Sequence, residues 1–348
     1  MKQKNRLHSL DIFRGTIIFL MLIIHFYNAF FRVNGAKNLW ISLIDFVVFG
    51  FLMLIGISVT FHYVEKFKKE GYGKISIYFL KRAFKIFMIY LAYSASIIIV
   101  TGKVTPLSLL RTIFLLDLNY DLLILIPISF YITVIPFFIF IIQKKIIRNY
   151  YVFVLIGVLS YLISYKINYI GFNSSFRFLK ALLFGHMDWV TFPIFQWILP
   201  FLVGIFIGNF LKNNKKNLMQ KSKILIISGA LFLSIFLFMF LFYLNSGITI
   251  DIDQYKFPPT IYHLIYSISL CLLFLGLYLR NENKFKTRFN FLKVFGQNSL
   301  IAYVSHQIFI KIATLSSSNN FINPYILCII ITSLTYISCK ANYKLRLL

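Results

Sequence analysis

The chain has 348 residues, of which 59% are hydrophobic, and its formal net charge is +26. Water-soluble domains are usually about 45–50% apolar, so this composition excludes a soluble enzyme, a disordered chain and a secreted disulfide scaffold. The apolar residues are numerous enough for ten helical spans of about 20 residues each. The sequence therefore predicts an all-α, polytopic transmembrane helix bundle.

Ten apolar runs follow one another along the chain, and we interpret each as a membrane span. They cover about residues 16–33, 40–63, 75–101, 119–142, 150–166, 189–210, 224–244, 260–279, 294–314 and 322–340. The stretch 107–118 is apolar but too short to cross a bilayer, so we expect an interfacial or re-entrant segment there. No internal repeat or soluble segment interrupts the pattern, which predicts a single transmembrane domain over residues 1–348.

The basic residues are concentrated in alternate loops. With the N-terminus inside, 23 Lys and Arg lie in the cytoplasmic loops and 7 in the opposite loops. The cytoplasmic loops would be 1–9, 64–74, 143–149, 211–223, 280–293 and 340–348. The positive-inside rule therefore predicts that both termini are cytoplasmic. This charge indicates contact with anionic membrane lipids rather than nucleic acid, so we expect a multi-pass protein of the plasma membrane.

Ionisable side chains inside a membrane are costly and usually face an internal cavity, which makes them functional candidates. Arg14 and His25 are eleven residues apart, which on an α-helix is three turns plus about 20°. The two side chains should therefore share one face, about 16.5 Å apart along the axis. Arg14 would lie at the cytoplasmic mouth and His25 near mid-bilayer. We expect Asp11 to pair with Arg14 and to complement the helix N-terminus.

Charged residues of three later spans are further candidates. Arg82 and Lys85 are i,i+3 neighbours at the cytoplasmic end of the third span. With Arg14 they would form a cationic mouth suited to a phosphorylated ligand, or they serve only as positive-inside anchors. Asp45 in the second span or Asp121 in the fourth would orient a histidine and stabilise its imidazolium, or each belongs to a structural ion pair.

The ninth predicted span carries a polar stripe. Ser299, Tyr303 and His306 follow at i, i+4 and i+7 on an otherwise apolar helix. The stripe either joins neighbouring helices by hydrogen bonds or contributes to a reaction centre. None of the three cysteines forms a CxxC pair, and we expect no metal.

The run 9–15 (SLDIFRG) followed by His25 resembles the opening of the integral-membrane acyltransferases. That superfamily includes acyltransferase family 3, with its Arg-x10-His motif, and the heparan-α-glucosaminide N-acetyltransferase-like proteins. The ninth-span motif 296–306 also fits the resemblance. Heparan-type enzymes carry the catalytic histidine in the first outer loop, but residues 32–39 contain none. The family-3 pattern therefore makes His25 the catalytic candidate, although that family usually has Arg at the position of Lys85.

The resemblance implies acyl transfer from cytoplasmic acyl-CoA, most simply acetyl-CoA, to an envelope glycan hydroxyl or amine on the outer side. The cations Arg14, Arg82 and Lys85 would hold the nucleotide phosphates of the donor. His25 would act as general base or form an acyl-histidine. The oxyanion would be stabilised by the stripe residues Tyr303, Ser299 or His306.

Two other classes use similar residues. In a proton-coupled transporter or flippase of an envelope precursor, intramembrane His and Asp form a proton relay. Such proteins often have inverted repeats and pairs of broken spans, and the sequence shows no obvious example of either. The third alternative is a non-catalytic assembly or sensor protein.

Overall fold

The structure is a computed structural model, and it describes most of the chain. The described residues are 7–31, 44–102, 105–115, 120–147, 149–168, 170, 177–185, 192–212, 217–245, 259–316 and 323–345. Every regular element in these ranges is a helix. In chain order the α-helices are α1 (His8–Phe30), α2 (Val47–Glu70), α3 (Tyr72–Val100), α4 (Pro106–Ile113), α5 (Leu125–Gln143), α6 (Tyr151–Asn168), α7 (Arg177–Leu183), α8 (Ile198–Lys212), α9 (Leu218–Asn245), α10 (Ile261–Arg280), α11 (Glu282–Arg288), α12 (Asn290–Gln297), α13 (Ser299–Ser316) and α14 (Pro324–Leu345).

Within the described residues, eight helices are long and apolar enough to cross a membrane. They are α1, α2, α3, α5, α6, α9, α10 and α14. The other two predicted spans also contain helices, but α8 has 15 residues and α13 carries a His-Gln pair in its middle. The chain is thus an all-α, multi-pass membrane protein, as its composition predicts. The predicted short segment 107–118 overlaps the eight-residue helix α4, which Thr105 and Ser108 begin with a capping box, and its last three residues lie outside the described ranges.

The Cα positions group into two compact units. The first unit comprises Met1–Phe51, Asn214–Asp253 and Ile261–Leu348, and the second comprises Leu52–Asn213 and Gln254–Thr260. In the first unit, α1 packs against α10, α12 and α13, while α9 packs against α10 and α13 against α14. In the second unit, α3 packs against α5, and α8 packs against α6 and the π-helical turn Val59–Tyr63 of α2.

Helix α1 begins at His8, well before the apolar run that predicted it, and a distant carboxylate caps it. The two oxygens of Glu282 accept hydrogen bonds from the backbone N–H groups of His8 and Ser9, at 2.7 and 2.8 Å. The first N–H groups of a helix have no partner within it, and a negative charge there also complements the helix dipole. The extra turns place Asp11 and Arg14 inside the same continuous helix as His25.

Two glycines let α1 and α12 cross with their backbones in contact. A Cβ atom on Gly15 would lie 1.8 Å from the carbonyl oxygen of Leu292, and one on Gly296 would lie 1.8 Å from that of Asp11. Carbon and oxygen atoms cannot approach so closely without repulsion. This crossing fixes how the two strongest sequence motifs, 9–15 and 296–306, lie relative to each other.

The predicted ninth span, 294–314, is broken into α12 and α13 at Asn298. The apolar pattern runs through this point without a proline, so the prediction of one continuous helix was wrong there. The Asn298 side chain donates to the carbonyl of Val294 at 3.0 Å and accepts from Asn342 at 2.8 Å. An asparagine that bonds nearby backbone competes with the regular helix, and the contact with α14 holds it in that conformation.

Candidate functional site

The two histidines singled out by the sequence meet in the first unit. Nδ1 of His25 on α1 lies 2.8 Å from Nε2 of His306 on α13. Their rings are nearly parallel, with an interplanar angle of 11° and centroids 5.1 Å apart. His306 is completely buried, whereas His25 is partly exposed. His25 is therefore the member of the pair that a substrate can reach.

The neighbours of His306 determine where the protons of this pair lie. Nδ1 of His306 is 2.8 Å from the carbonyl oxygen of Ala302, one turn earlier on the helix. A carbonyl only accepts, so Nδ1 of a neutral His306 carries the hydrogen and Nε2 carries the lone pair. That lone pair needs a donor, which is Nδ1–H of His25. Nε2 of His25 then carries the unprotonated lone pair of its ring, which is the form of imidazole that acts as a base.

A third polar side chain belongs to the same cluster. The amide nitrogen of Gln307 is placed 2.6 Å from Nδ1 of His25. Amide oxygen and nitrogen are interchangeable in placement, and in the proton arrangement above it is the oxygen that faces the Nδ1–H donor. Gln307 is buried. It therefore fixes the His25 ring together with His306.

Tyr303 packs against both histidines, one turn before His306. Its ring centroid lies 6.1 Å from that of His25 and 5.4 Å from that of His306, which it approaches edge-on. Only 5% of Tyr303 is exposed. Ser299 is the first residue of α13, so the stripe does lie on one helix. Ser299 is, however, about 10 Å along the axis from His306.

The opposite end of α1 carries the predicted cation. Arg14 lies 4.0 Å from Asp11 through Nη1 and Oδ1, and 26% of its side chain is exposed. Gln297 donates to the other oxygen of Asp11 at 3.4 Å. Because α1 is one uninterrupted helix from His8 to Phe30, the shared face of Arg14 and His25 follows from helix geometry.

The two predicted orienting carboxylates have tyrosine neighbours. Asp45 is buried in the first unit and lies close enough to Tyr266 for the two groups to interact electrostatically. Asp121 belongs to the second unit, where it accepts a hydrogen bond from the Tyr93 hydroxyl at 3.1 Å. Neither of these contacts is the histidine interaction that we expected.

The third-span cations lie in the second unit, on α3. Nη1 of Arg82 donates to the Tyr63 hydroxyl at 3.1 Å, and both Arg82 and Lys85 are exposed. Arg14 belongs to the first unit, so the structure places the three predicted donor-site cations in two separate units.

Two buried polar residues of the first unit, Gln307 and His263, were not among the candidates predicted from the sequence. The predicted stripe took positions i, i+4 and i+7 from Ser299 and so did not include Gln307. Gln307 nevertheless lies on nearly the same helix face, because it follows Tyr303 by four residues. Buried His263 was also missed, and its Nε2 lies 3.3 Å from the Ser267 hydroxyl one turn away on α10. In the part of the chain that the structure describes, no group of three or more His, Cys, Asp or Glu could hold a metal ion.

Comparison with known proteins agrees with the sequence motifs. The sequence profile of an acyltransferase domain, that of acyltransferase family 3, matches residues 7–339. This range contains α1 with the Arg14–His25 motif, the broken α12–α13 segment and the larger part of α14. No curated protein sequence is significantly similar to the chain. The match covers nearly the whole chain, so the chain belongs to acyltransferase family 3.

Proposed function

We propose that the chain is an acyl-CoA-dependent acyltransferase of the plasma membrane. It would transfer an acetyl group from cytoplasmic acetyl-CoA to a hydroxyl or amine of an extracytoplasmic envelope glycan. Family membership supplies the reaction class. The observation that carries the mechanism is the His25–His306 hydrogen bond, because it makes the accessible imidazole a positioned base.

In the proposed reaction, Nε2 of His25 removes the proton of the acceptor hydroxyl as the oxygen attacks the thioester carbonyl. A new C–O bond forms and the carbonyl becomes a tetrahedral oxyanion. The intermediate then collapses and breaks the C–S bond, and the CoA thiolate takes the proton back from the His25 imidazolium. The enzyme therefore returns to its starting state with one thiol and one ester released.

His306 would act as a positioning residue for His25. When His25 gains its second proton, its Nδ1–H bond to Nε2 of His306 becomes charge-assisted, and such bonds are stronger than neutral ones. The carbonyl of Ala302 holds His306 in the tautomer that accepts this bond. The arrangement is analogous to the carboxylate that orients the histidine of a catalytic triad.

Tyr303 packs its ring against both histidine rings, and this makes it our candidate for stabilising the oxyanion. Its hydroxyl would donate to the developing negative charge, while Ser299 lies farther along α13. An acyl-histidine route uses the same geometry, since the Nε2 lone pair of His25 would instead attack the thioester.

Arg14, which is partly exposed on α1, would bind the donor phosphates. A role for Arg82 and Lys85 in donor binding stays a prediction from the sequence. The sidedness of this proposal rests on the distribution of basic residues, with 23 in one set of loops and 7 in the other.

The test uses sealed membrane vesicles and acetyl-CoA labelled in the acetyl group. Inside-out vesicles expose the cytoplasmic face, and we expect them to transfer label to glycan acceptor enclosed in the vesicle. Sealed right-side-out vesicles should transfer none until they are permeabilised. Movement of the acceptor across the membrane without label would instead support a transporter and overturn the proposal.

A further inference from the structure

The second unit contains a half-open cavity of about 400 Å³ that the mechanism above does not use. It lies among the ends of α2, α5 and α8 and the start of the segment that leads into α6. Its polar lining includes Lys68, Gln143, Lys145, Tyr150, Asn209 and Lys212. The volume falls within the range of small-ligand pockets, roughly 300–1,000 Å³.

The charge of the cavity is positive. Lys212 lies 3.4 Å from Glu65, so its charge is partly compensated. Lys68 and Lys145 have no ion-pair partner for their ammonium groups in the part of the chain that is described. Two uncompensated ammonium groups around one concave space repel each other and attract an anion.

Neutral donors complete the lining. Neither the Tyr150 hydroxyl nor the Asn209 side-chain amide has a hydrogen-bond partner among the described residues. Gln143 donates to the carbonyl of Val64 at 2.9 Å and so ties the end of α5 to α2. The wall of the cavity is therefore held in place, while two donors beside it are left available for a ligand.

Lys145 has an unusual backbone. Its φ of +54° is in the left-handed region, where glycine is strongly favoured. The bonds from Ile146 N to Ile141 O at 3.1 Å and from Lys145 N to Ile142 O at 3.2 Å form the Schellman motif that usually ends with glycine. A lysine at this position costs conformational free energy that glycine would not, so its side chain is the feature that needs a reason.

We propose that this cavity binds a phosphate-bearing anion. Phosphate oxygens accept from lysine ammonium groups and from neutral donors alike, which matches Lys68, Lys145, Tyr150 and Asn209. Lys68, Lys145 and Lys212 fall within the sequence segments 64–74, 143–149 and 211–223, which the charge pattern assigns to the cytoplasmic side. Two sources of this chemistry exist on that side, namely a soluble nucleotide such as CoA, for which this cavity would be a second phosphate site beside the donor site proposed above, and the headgroup of an anionic phospholipid.

The decisive variant is Lys145→Gly, because glycine keeps the left-handed turn and removes only the side chain. In phosphatidylcholine nanodiscs, pyrophosphate should bind this variant about three- to tenfold more weakly than wild type. Its thermal midpoint should be unchanged or higher. The neighbouring Lys144→Gln is the matched control, since Lys144 does not line the cavity, and its affinity should equal that of wild type.

Two arms identify the source of the phosphate. CoA binding that weakens in Lys145→Gly as pyrophosphate binding does would support a nucleotide. A phosphatidylglycerol adduct that native mass spectrometry detects on wild type and not on Lys145→Gly would support a headgroup. The proposal is overturned if no probe binds wild type, or if pyrophosphate, CoA and phosphatidylglycerol all bind Lys145→Gly as well as wild type. Neither result bears on the His25 chemistry, which is measured separately by acetyl transfer.

Discussion

Replacing His306 tests how the fully buried histidine supports the accessible one. His306→Met removes one of the two acceptors that face the His25 Nδ1–H, leaves the Gln307 oxygen as the other, and introduces an apolar side chain of similar length. His306→Gln keeps an acceptor, because the Gln oxygen reaches about as far as the lost Nε2. The glutamine cannot take up a proton under physiological conditions, so the two variants separate positioning from proton transfer.

The magnitude follows from the 2.8 Å bond between the rings. Once His25 is protonated in the transition state, this bond is made to a charged group, and such bonds contribute about 1.5–3 kcal/mol. Its loss in His306→Met should therefore lower kcat by about 10- to 150-fold. The KM for acetyl-CoA should stay within about twofold, because His306 is completely buried and reaches the reacting groups only through His25.

The assay measures kcat and KM with labelled acetyl-CoA on purified protein in nanodiscs, from pH 5.5 to 8.5. His306→Gln should retain activity within about tenfold of wild type. A kcat for His306→Met equal to that of wild type would refute the positioning role. A kcat for His306→Gln as low as that of His306→Met would also contradict it and would assign His306 to proton transfer instead.

Two predictions concern the scaffold around this pair. Gly296→Ala should destabilise the protein by about 1–3 kcal/mol, because the new Cβ would lie 1.8 Å from the Asp11 carbonyl oxygen. The control Gly73→Ala should not destabilise it, because a Cβ there meets nothing within 4 Å. Thermal unfolding in detergent measures both, and equal midpoints would contradict the close crossing. Glu282→Gln should cost about 1 kcal/mol by weakening the cap of α1, while Glu70→Gln should not. A midpoint unchanged by Glu282→Gln would show that the cap contributes nothing.

The helical periodicity of the sequence was sufficient to place Arg14 and His25 on one face. That inference depends only on a continuous helix, and α1 is continuous over both residues. The stripe on α13 was predictable for the same reason. Local patterns of this kind require no knowledge of which helices become neighbours.

The pairing of His25 with His306 required such knowledge. The two residues are 281 positions apart, and they meet in a unit where α1 and α12 cross in direct backbone contact at Gly15 and Gly296. The break at Asn298 has a similar origin, since its side chain is held by Asn342 on another helix. Neither contact leaves a mark in the local hydrophobic pattern.

The cavity of the second unit, which Lys68, Lys145 and Lys212 line, was not predicted for another reason. The positive-inside rule gives a complete explanation of a loop lysine as a topological anchor, so the sequence gives no cause to look further at Lys68, Lys145 or Lys212. Only the structure shows that these three lysines line one cavity, and only the backbone of Lys145 shows that glycine would fit that position better.

A single-turnover measurement separates the role of the His25 Nε2 lone pair as the base of acyl transfer from any role of His25 in donor binding. Purified wild type, His25→Gln and the control His62→Gln are mixed with labelled acetyl-CoA and acceptor, and donor binding is measured in parallel. We predict that His25→Gln binds acetyl-CoA as wild type does but transfers the label about 10²- to 10⁴-fold more slowly, while His62→Gln matches wild type. Transfer by His25→Gln at the wild-type rate would show that His25 is not the base.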